Sequence, residues 1–550
     1  MNRKLTKVLA GILCACLCAS MVFAGCSQKQ KDPSPNSTDT TQAQTVEGMK
    51  GNMYLEGLPI VEEKESFSML LSFSGNGDPN EMELHKRLEE MTNVHVEYEA
   101  VASSAKSERK STVFASGEYP DTMAGSLLTD TEVVTYGAQG VFIPLEDLIQ
   151  EYAPNLQKIL DENPDMVKKL TAPDGHIYSL PMINYRSVWP SADTYVADQL
   201  LFNREWLDKL GLEVPTTIDD FYEVLKAFRD GDPNGNGIQD AIPFTFIHKG
   251  WGEGLKSMFG MFGFVDNTNH IMIKDGKVVS TANTEEYKEA IQFFNKLYEE
   301  GLIDSECFTQ DKQAYIAKCA QEPTVVGSLI TYAGYNEFGL ERVKEEYVAA
   351  EPMKGVNGEQ LWSKEESGFW RNRLVITSAA KNPEVIMRWA DNLYDPEISV
   401  QVTYGPYGIN IEKNENGTID MLPAPEGMTT DQFLLTETTR ALPYAVIGEM
   451  VDKINIDASM QYKNEISKLM APFCTQEVFP MVYNTAEETE ILSTIESPIT
   501  QYIDQKQAQW ISGQADIDAE WEDYLKQLDK MNLDKALEAR QQAYDRYYGK

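Results

Sequence analysis

Histidine is nearly missing from this chain. The five present (His85, His95, His176, His248 and His270) show no metal-ligand spacing, which leaves no histidine-based zinc centre to read. No Gly-x-x-x-x-Gly-Lys-[Ser/Thr] phosphate loop occurs, so the chain lacks that route to nucleotide hydrolysis. Nothing is spaced like a catalytic triad. Basic residues are outnumbered, 48 Lys and Arg against 86 Asp and Glu, and the net charge of −38 argues against nucleic acid or anionic headgroups as partners. Cysteine is sparse too. Cys14, Cys16 and Cys18 sit in an N-terminal apolar run and Cys26 just after it, leaving Cys307, Cys319 and Cys474, an odd set without the spacing of a disulfide framework. A Cys307–Cys319 bridge and three buried thiols both suit that set.

The one long apolar run is at the start. Arg3, Lys4 and Lys7 precede an almost wholly apolar or small stretch from Val8 to Val22, and Phe23-Ala-Gly-Cys26 follows. Residues 1–25 therefore read as a secretory signal peptide, too short for a durable membrane span. Ala24 and Gly25 offer the small side chains that a signal peptidase accepts. The cysteine after them resembles the bacterial lipobox, with Phe23 in place of the usual Leu. That resemblance implies acylation of Cys26 and anchoring of the chain to the cell membrane on its extracytoplasmic face. Residues 26–65 are rich in Ser, Thr, Gln, Asp and Pro, and are expected to form a flexible polar stalk.

The remaining chain exceeds what one hydrophobic core usually holds, which predicts at least two lobes. Ser66-Phe-Ser-Met-Leu-Leu-Ser-Phe73 reads as a buried strand, residues 78–92 as an amphipathic helix, and Val94-His-Val-Glu-Tyr98 as a second strand. That order suggests a βαβ unit in a parallel sheet. Leu374-Val-Ile376 and a helix over 382–394 look like a return to the same sheet. Residues 516–548 read as helical, with Trp521, Tyr524, Leu525, Leu528 and Met531 on an apolar face.

Several short motifs then come in order: Gly117-Glu-Tyr-Pro-Asp121, Gly140-Val-Phe-Ile-Pro-Leu-Glu-Asp-Leu148, Pro173-Asp-Gly-His-Ile-Tyr178, Phe202-Asn-Arg-Glu-Trp-Leu-Asp-Lys-Leu-Gly211 and Pro215-Thr-Thr-Ile-Asp-Asp-Phe221. With Asn382-Pro-Glu384, Gly513 and the stretch from Trp521 to Tyr548, they resemble the extracellular solute-binding proteins of family 1, in the lipoprotein subgroup that feeds ABC importers of complex sugars. The resemblance implies an α/β, periplasmic-binding-protein-like (type II) clamp of two lobes closing on a ligand. By that pattern the first lobe takes 66–185 and 326–400, and the second 186–325 and 401–550. It implies a monomer that binds a carbohydrate, an oligosaccharide by the family's habit, and delivers it to a membrane permease without catalysis. ATP hydrolysis would fall to another subunit. A secreted carbohydrate-active hydrolase, which needs two carboxylates beside its cleft, and a surface sugar sensor are the competing readings.

Asp232-Pro-Asn-Gly-Asn-Gly-Ile-Gln-Asp240 carries chemistry of its own. Asp232, Asn234, Asn236 and Asp240 fall at positions 1, 3, 5 and 9 of an EF-hand-like loop, Gly237 at the sharp turn, and Ile238 where a backbone carbonyl would serve. Such a ring of hard oxygens suits a structural Ca²⁺. Pro243 stands where an EF-hand would place its bidentate Glu, and Ala241 follows Asp240 directly. The competing reading is an Asn- and Gly-rich turn ending the preceding helix.

Sugar sites stack rings on aromatic faces and surround them with polar groups. Trp189, Trp251, Tyr335, Trp370 and Tyr404 lie in loops or beside glycines and are the stacking candidates. Arg371 and Asp121 are candidate hydroxyl partners, or members of an ion pair between lobes. Ordinary packing competes for each aromatic. Trp206 and Trp389, on helical faces, are expected in the core.

Overall fold

The run beginning at Ser66 has neither proline nor glycine and can bury apolar side chains on both faces, so it forms β1 (Glu65–Phe73), an internal strand one in from the edge of a sheet. The structure, a computed structural model, describes residues 48–75, 77–185, 196–364, 368–428, 430–455, 458–475 and 477–550. The other strands of the two larger sheets are β2 (Val94–Ala102), β3 (Thr122–Gly125), β4 (Leu180–Asn184), β5 (Gln199–Asn203), β6 (Ser328–Thr331), β7 (Tyr347–Ala349), β8 (Phe369–Ile376) and β9 (Tyr444–Val446).

The first sheet has the order β9-β4-β8-β3-β1-β2. β1 pairs in parallel with β2 and β3, and β9 in parallel with β4. β8 alone runs the other way, antiparallel to β3 and β4. The carboxyl ends of β1, β2, β3, β4 and β9 therefore share one edge with the amino end of β8. Helices α1 (Glu83–Thr92), α2 (Lys106–Ser116) and α3 (Asp130–Ala138) follow β1, β2 and β3. Asn93, in the left-handed region at φ 58°, ends α1 and turns the chain into β2. A capping box of Thr129 and Glu132 starts α3. The expected βαβ unit is present, and Trp389 is buried beneath it, edge-on to Phe67 at 5.3 Å.

The second sheet, order β6-β5-β7, is antiparallel. Bridges from Ile242 to Val326 and Thr245 to Leu329 lay residues 242–245 parallel to β6 and widen it. Around it pack α4 (Ile218–Asp230), α5 (Glu285–Glu299), α6 (Ala458–Met470), α7 (Ser497–Ile511), α8 (Ile517–Lys530) and α9 (Leu533–Tyr548). Phe202, Trp206, Phe221, Phe228, Tyr287, Trp510 and Trp521 share its core. Asn532, at φ 63°, divides the helical tail into α8 and α9.

The division into halves differs from the expected one. β6 and β7 pair with β5, so residues 326–350 belong to the second sheet and not to the first. β9 lies beside β4, and Ile411, Ile419, Leu442, Met450 and Ile454 join the first core, so much of 401–455 belongs to the first half. The polar stalk is also shorter than its composition suggests. Ile60 and Val61 are fully buried against the first core, the Ile60 amide donates to the Thr92 carbonyl at 2.8 Å, and Lys50 reaches Tyr152 and Glu384. Two adjacent apolar side chains are enough to fasten residues 48–64 down. Cys307, Cys319 and Cys474 are buried free thiols, so the Cys307–Cys319 bridge is not formed. Among the described residues, no helix is long and apolar enough to cross a membrane.

Candidate functional site

Ligands of open α/β sheets sit beyond the carboxyl ends of the strands. In the second half, the strand-like stretch 242–246 runs into His248-Lys-Gly-Trp251, and β6 runs into Tyr332. Trp251 is 54% exposed, a large value for an indole, with its ring 5.3 Å from that of Tyr332 at 33°. A side chain on Gly252 would begin 2.8 Å from the Tyr332 Cβ, so only glycine lets the loop cross here. Two cations border the pair. Lys256 Nζ lies 5.8 Å from the Trp251 ring centre, and Lys463 Nζ, from α6, lies 3.8 Å from that of Tyr332. Lys463 also donates to the carbonyls of Val196 and Tyr332 at 3.3 and 3.0 Å. The result is a broad aromatic face that suits the C–H side of a sugar ring.

Polar groups stand nearby without partners. Gln199 Oε1, at the amino end of β5, and Asn464 Nδ2, beside Lys463 on α6, are buried with no hydrogen-bond partner among the described residues. Each such group costs about 1–3 kcal/mol until something fills it. Tyr185, just past β4 of the first half, and Tyr332 both pack on Ala197, so the halves meet at this point.

A cavity of about 500 Å³ is lined from both halves, by Asp130 and Arg371 on one side and by Asn267, Thr268 and Thr475 on the other, with Asn484 also at its wall. Thr475 Oγ1 and Asn484 Oδ1 are buried with no hydrogen-bond partner among the described residues. A smaller cavity of about 160 Å³ lies against Trp251 and shares Asp266, Asn267 and Thr268 with the larger one. Its floor is charged: His270 lies between Asp266 and Asp504.

The 232–240 loop follows α4. Asp240 accepts from the amides of Asn234 and Asn236 at 2.9 and 2.8 Å, and Asp232 Oδ2 from the Gly237 N–H at 3.1 Å. Gly235 and Gly237 take the left-handed turns, at φ 69° and 74°. Asn234, Asn236 and Asp240 are thus already drawn together with Asp232 on the same loop, and the residue types fit a hard divalent cation once the two amides turn their oxygens inward.

Residues 80–399 match the family described as bacterial extracellular solute-binding proteins, and the alignment with one relative spans nearly the whole chain. The chain belongs to that family. The relative is the fructooligosaccharide ABC transporter substrate-binding protein FusA of Streptococcus pneumoniae, 35% identical over 505 residues that cover 90% of this chain and 93% of FusA. The structure of FusA with kestose superposes with a TM-score of 0.75 over 88% of this chain and 99% of that one. An extracellular solute-binding protein of Bifidobacterium longum subsp. infantis, 26% identical, gives 0.76 over 88% and 98%. Lipoprotein LipO of Bacillus subtilis is 26% identical over 341 residues, 60% of this chain and 63% of that protein. The two-lobed α/β clamp expected from the motifs is the fold observed.

In this solute-binding protein the expected ligand residues scatter. Trp251 stands on the proposed face. Tyr335 instead packs against the second core, its hydroxyl 3.6 Å from Met460 Sδ. Trp370, half-buried on β8 opposite Met182, and Tyr404, at the end of a helix over Pro396–Tyr404, pack against the first core. Asp121 lies at the wrong end of the sheet: it precedes β3, where it holds the amide and hydroxyl of Ser68 at 2.8 Å, away from the carboxyl edge. Arg371 is consumed internally, paired with Asp130 through two nitrogens and donating to the carbonyls of Lys169 and Val482 at 3.0 Å. It is a structural tie. Trp189 and Cys26 lie outside the described residues.

Sequence reading passed over Tyr332 in favour of Tyr335, and missed Gln199, Lys463, Asn464 and Arg373. Arg373 lies within the bulge in β8; among the described residues its buried Nε has no acceptor and no ion pair meets it, and burial holds its pKa below the usual guanidinium value. The Thr331-Tyr-Ala-Gly-Tyr335 motif signals both tyrosines equally; only the end of β6 decides which one reaches the edge.

Proposed function

We propose that this chain is the lipid-anchored substrate-binding protein of an ABC importer, capturing an oligosaccharide between its two halves and delivering it to a membrane permease. The observation that carries this reading is the exposed Trp251 on Tyr332 at the carboxyl edge of the second sheet, near Gln199 Oε1 and Asn464 Nδ2, two buried atoms with no hydrogen-bond partner among the described residues. A sugar ring would lay its C–H face on the indole and satisfy Gln199 and Asn464 with its hydroxyls. Closure of the halves would then exclude water, and reopening at the permease would release the ligand. Kinship with FusA puts fructose-based oligosaccharides first among candidates. The protein acts as a monomer, by capture and not by turnover.

Two further features belong to this reading. Cys26 carries the lipid, which keeps the clamp beside its permease. Ca²⁺ would be held by Asp232, Asn234, Asn236, the Ile238 carbonyl and Asp240, where it would neutralise the two carboxylates and brace the loop that follows α4. A FusA structure described as an EF-hand mutant supports a metal loop in this kinship.

Calorimetric titration with kestose, fructo-nystose and unrelated oligosaccharides tests the central claim. Saturable binding with the sugar recovered intact is expected. Hydrolysis of the sugar, or no binding across the panel, would overturn it. Cys26→Ala should shift the protein from the membrane fraction to the medium; retention in the membrane would count against the anchor.

A further inference from the structure

Charged groups behind the Trp251 loop have no part in the sugar contacts just described. Lys249, two residues before Trp251, adopts a left-handed backbone at φ 64°, and its Nζ lies 2.6 Å from Asp504 on α7. Asp504 also meets His270 Nε2 at 3.3 Å, and His270 Nδ1 meets Asp266 at 2.8 Å. Asp266 in turn accepts from Thr281 Oγ1 at 2.6 Å. The His248 ring hydrogen-bonds the Asp504 backbone, so one residue of α7 grips two successive residues of the loop. Asp266 and His270 are about 95% buried, whereas Lys249 is half-exposed. His248, Lys249, Asp266, His270 and Asp504 all line the cavity against Trp251.

An exposed indole on a loop with Gly250, Gly252 and Gly254 makes a poor platform unless something holds the loop, because ligand binding must otherwise order it. A buried imidazolium shared by two carboxylates supplies a rigid anchor in a medium of low dielectric. We propose that Asp504 and His270 are positioning residues for sugar binding, fixing Lys249 and through it the ring plane of Trp251. This rests on Trp251 being the sugar platform.

The charge states agree with that arrangement. Burial alone would lower the His270 pKa, but the Asp266 charge and the hydrogen bonds to both carboxylates outweigh it and raise it to about 9. Burial likewise favours protonated Asp504, yet His270 and Lys249 hold its pKa below the usual value. The groups facing His270 are Asp266 on its own loop, Asp504 on α7, and His248 and Lys249 on the Trp251 loop. Tyr287 of α5 and Tyr524 of α8 lie within reach of the Asp266 charge. A histidine with a raised pKa holds its anchor fully below its unfolded value and loses it as pH climbs through about 9.

The test uses the full chain labelled with 5-fluorotryptophan, with the Trp251 fluorine resonance assigned through Trp251→Phe. Without any sugar, that resonance should shift with a midpoint near pH 9 and stay flat in His270→Gln. It should broaden in Asp504→Asn and in Lys249→Met, the latter altering only the exposed arm. With kestose, Asp504→Asn should weaken binding about five- to tenfold in the native background and leave it unchanged in a Trp251→Ala background. A resonance indifferent to all three substitutions overturns the proposal. So does an equal loss in both backgrounds, which would mark a general packing defect. If the unsubstituted protein ignores kestose, the sugar reading fails while the fluorine measurements still decide the network.

Discussion

Arg371 lies at the edge where a ligand would sit, yet the structure uses it to hold the chain together, and that distinction can be measured. Its guanidinium pairs with Asp130, donates to the carbonyls of Lys169 and Val482, and lies 3.7 Å over the Tyr483 ring. Arg371→Ala would take the guanidinium from two carbonyls and from Asp130, which keeps its bond from the Asn372 amide, and would open a gap over Tyr483. Breaking a buried ion pair costs about 3–5 kcal/mol. Asp130 is half-exposed and water will screen it, which favours the lower end, about 3 kcal/mol. For a unit of about 500 residues, unfolding entropy of ~2.1 cal/mol/K per residue makes that a fall in Tm of ~3 °C. Urea denaturation and a thermal scan should both register it, with sugar affinity at 25 °C changed less than twofold. A collapse of affinity with an unchanged melting curve would refute the reasoning and place Arg371 on the ligand.

Trp251→Ala should weaken oligosaccharide binding by ~0.5–1.5 kcal/mol, roughly two- to twelvefold, without a shift in Tm, because the ring is exposed; unaltered titrations would remove it from the site. EDTA should lower the melting point, and Asp240→Asn should abolish that response; a chelator-insensitive protein would mean that the 232–240 loop holds no ion. Trp389→Ala, in the first core, should cost ~3–5 kcal/mol in denaturant unfolding, and a loss below 1 kcal/mol would contradict its burial. Mass spectrometry after denaturation without reductant should find Cys307, Cys319 and Cys474 all alkylated; a mass consistent with a bridge would contradict the three thiols.

Much of the site's chemistry was legible as residue type but not as place. Trp251 was readable because a tryptophan between glycines has few neighbours to hide among. Arg371 and Asp121 carried the right chemistry but are engaged within the chain, since a guanidinium or carboxylate reads the same whether it meets a sugar or a neighbouring carbonyl. Lys463 and Asn464 gave no signal, being polar residues on an ordinary helix over Ala458–Met470.

Local order along the chain carries the expectation of a leader and its cysteine, and it determined the first βαβ unit, the oxygen spacing of the 232–240 loop and the family motifs, because each depends on residues within a few positions of one another. Tertiary structure alone decided which half owns residues 326–350 and 401–455. Pairing between β5 and β6, more than a hundred residues apart, leaves no trace in either strand's own alternation. It likewise decided that Tyr332 and not Tyr335 reaches the edge, that Ile60 and Val61 shorten the stalk, and that Asp504 grips the Trp251 loop. Those outcomes turn on which surfaces meet, and a surface is complete only when distant segments have packed.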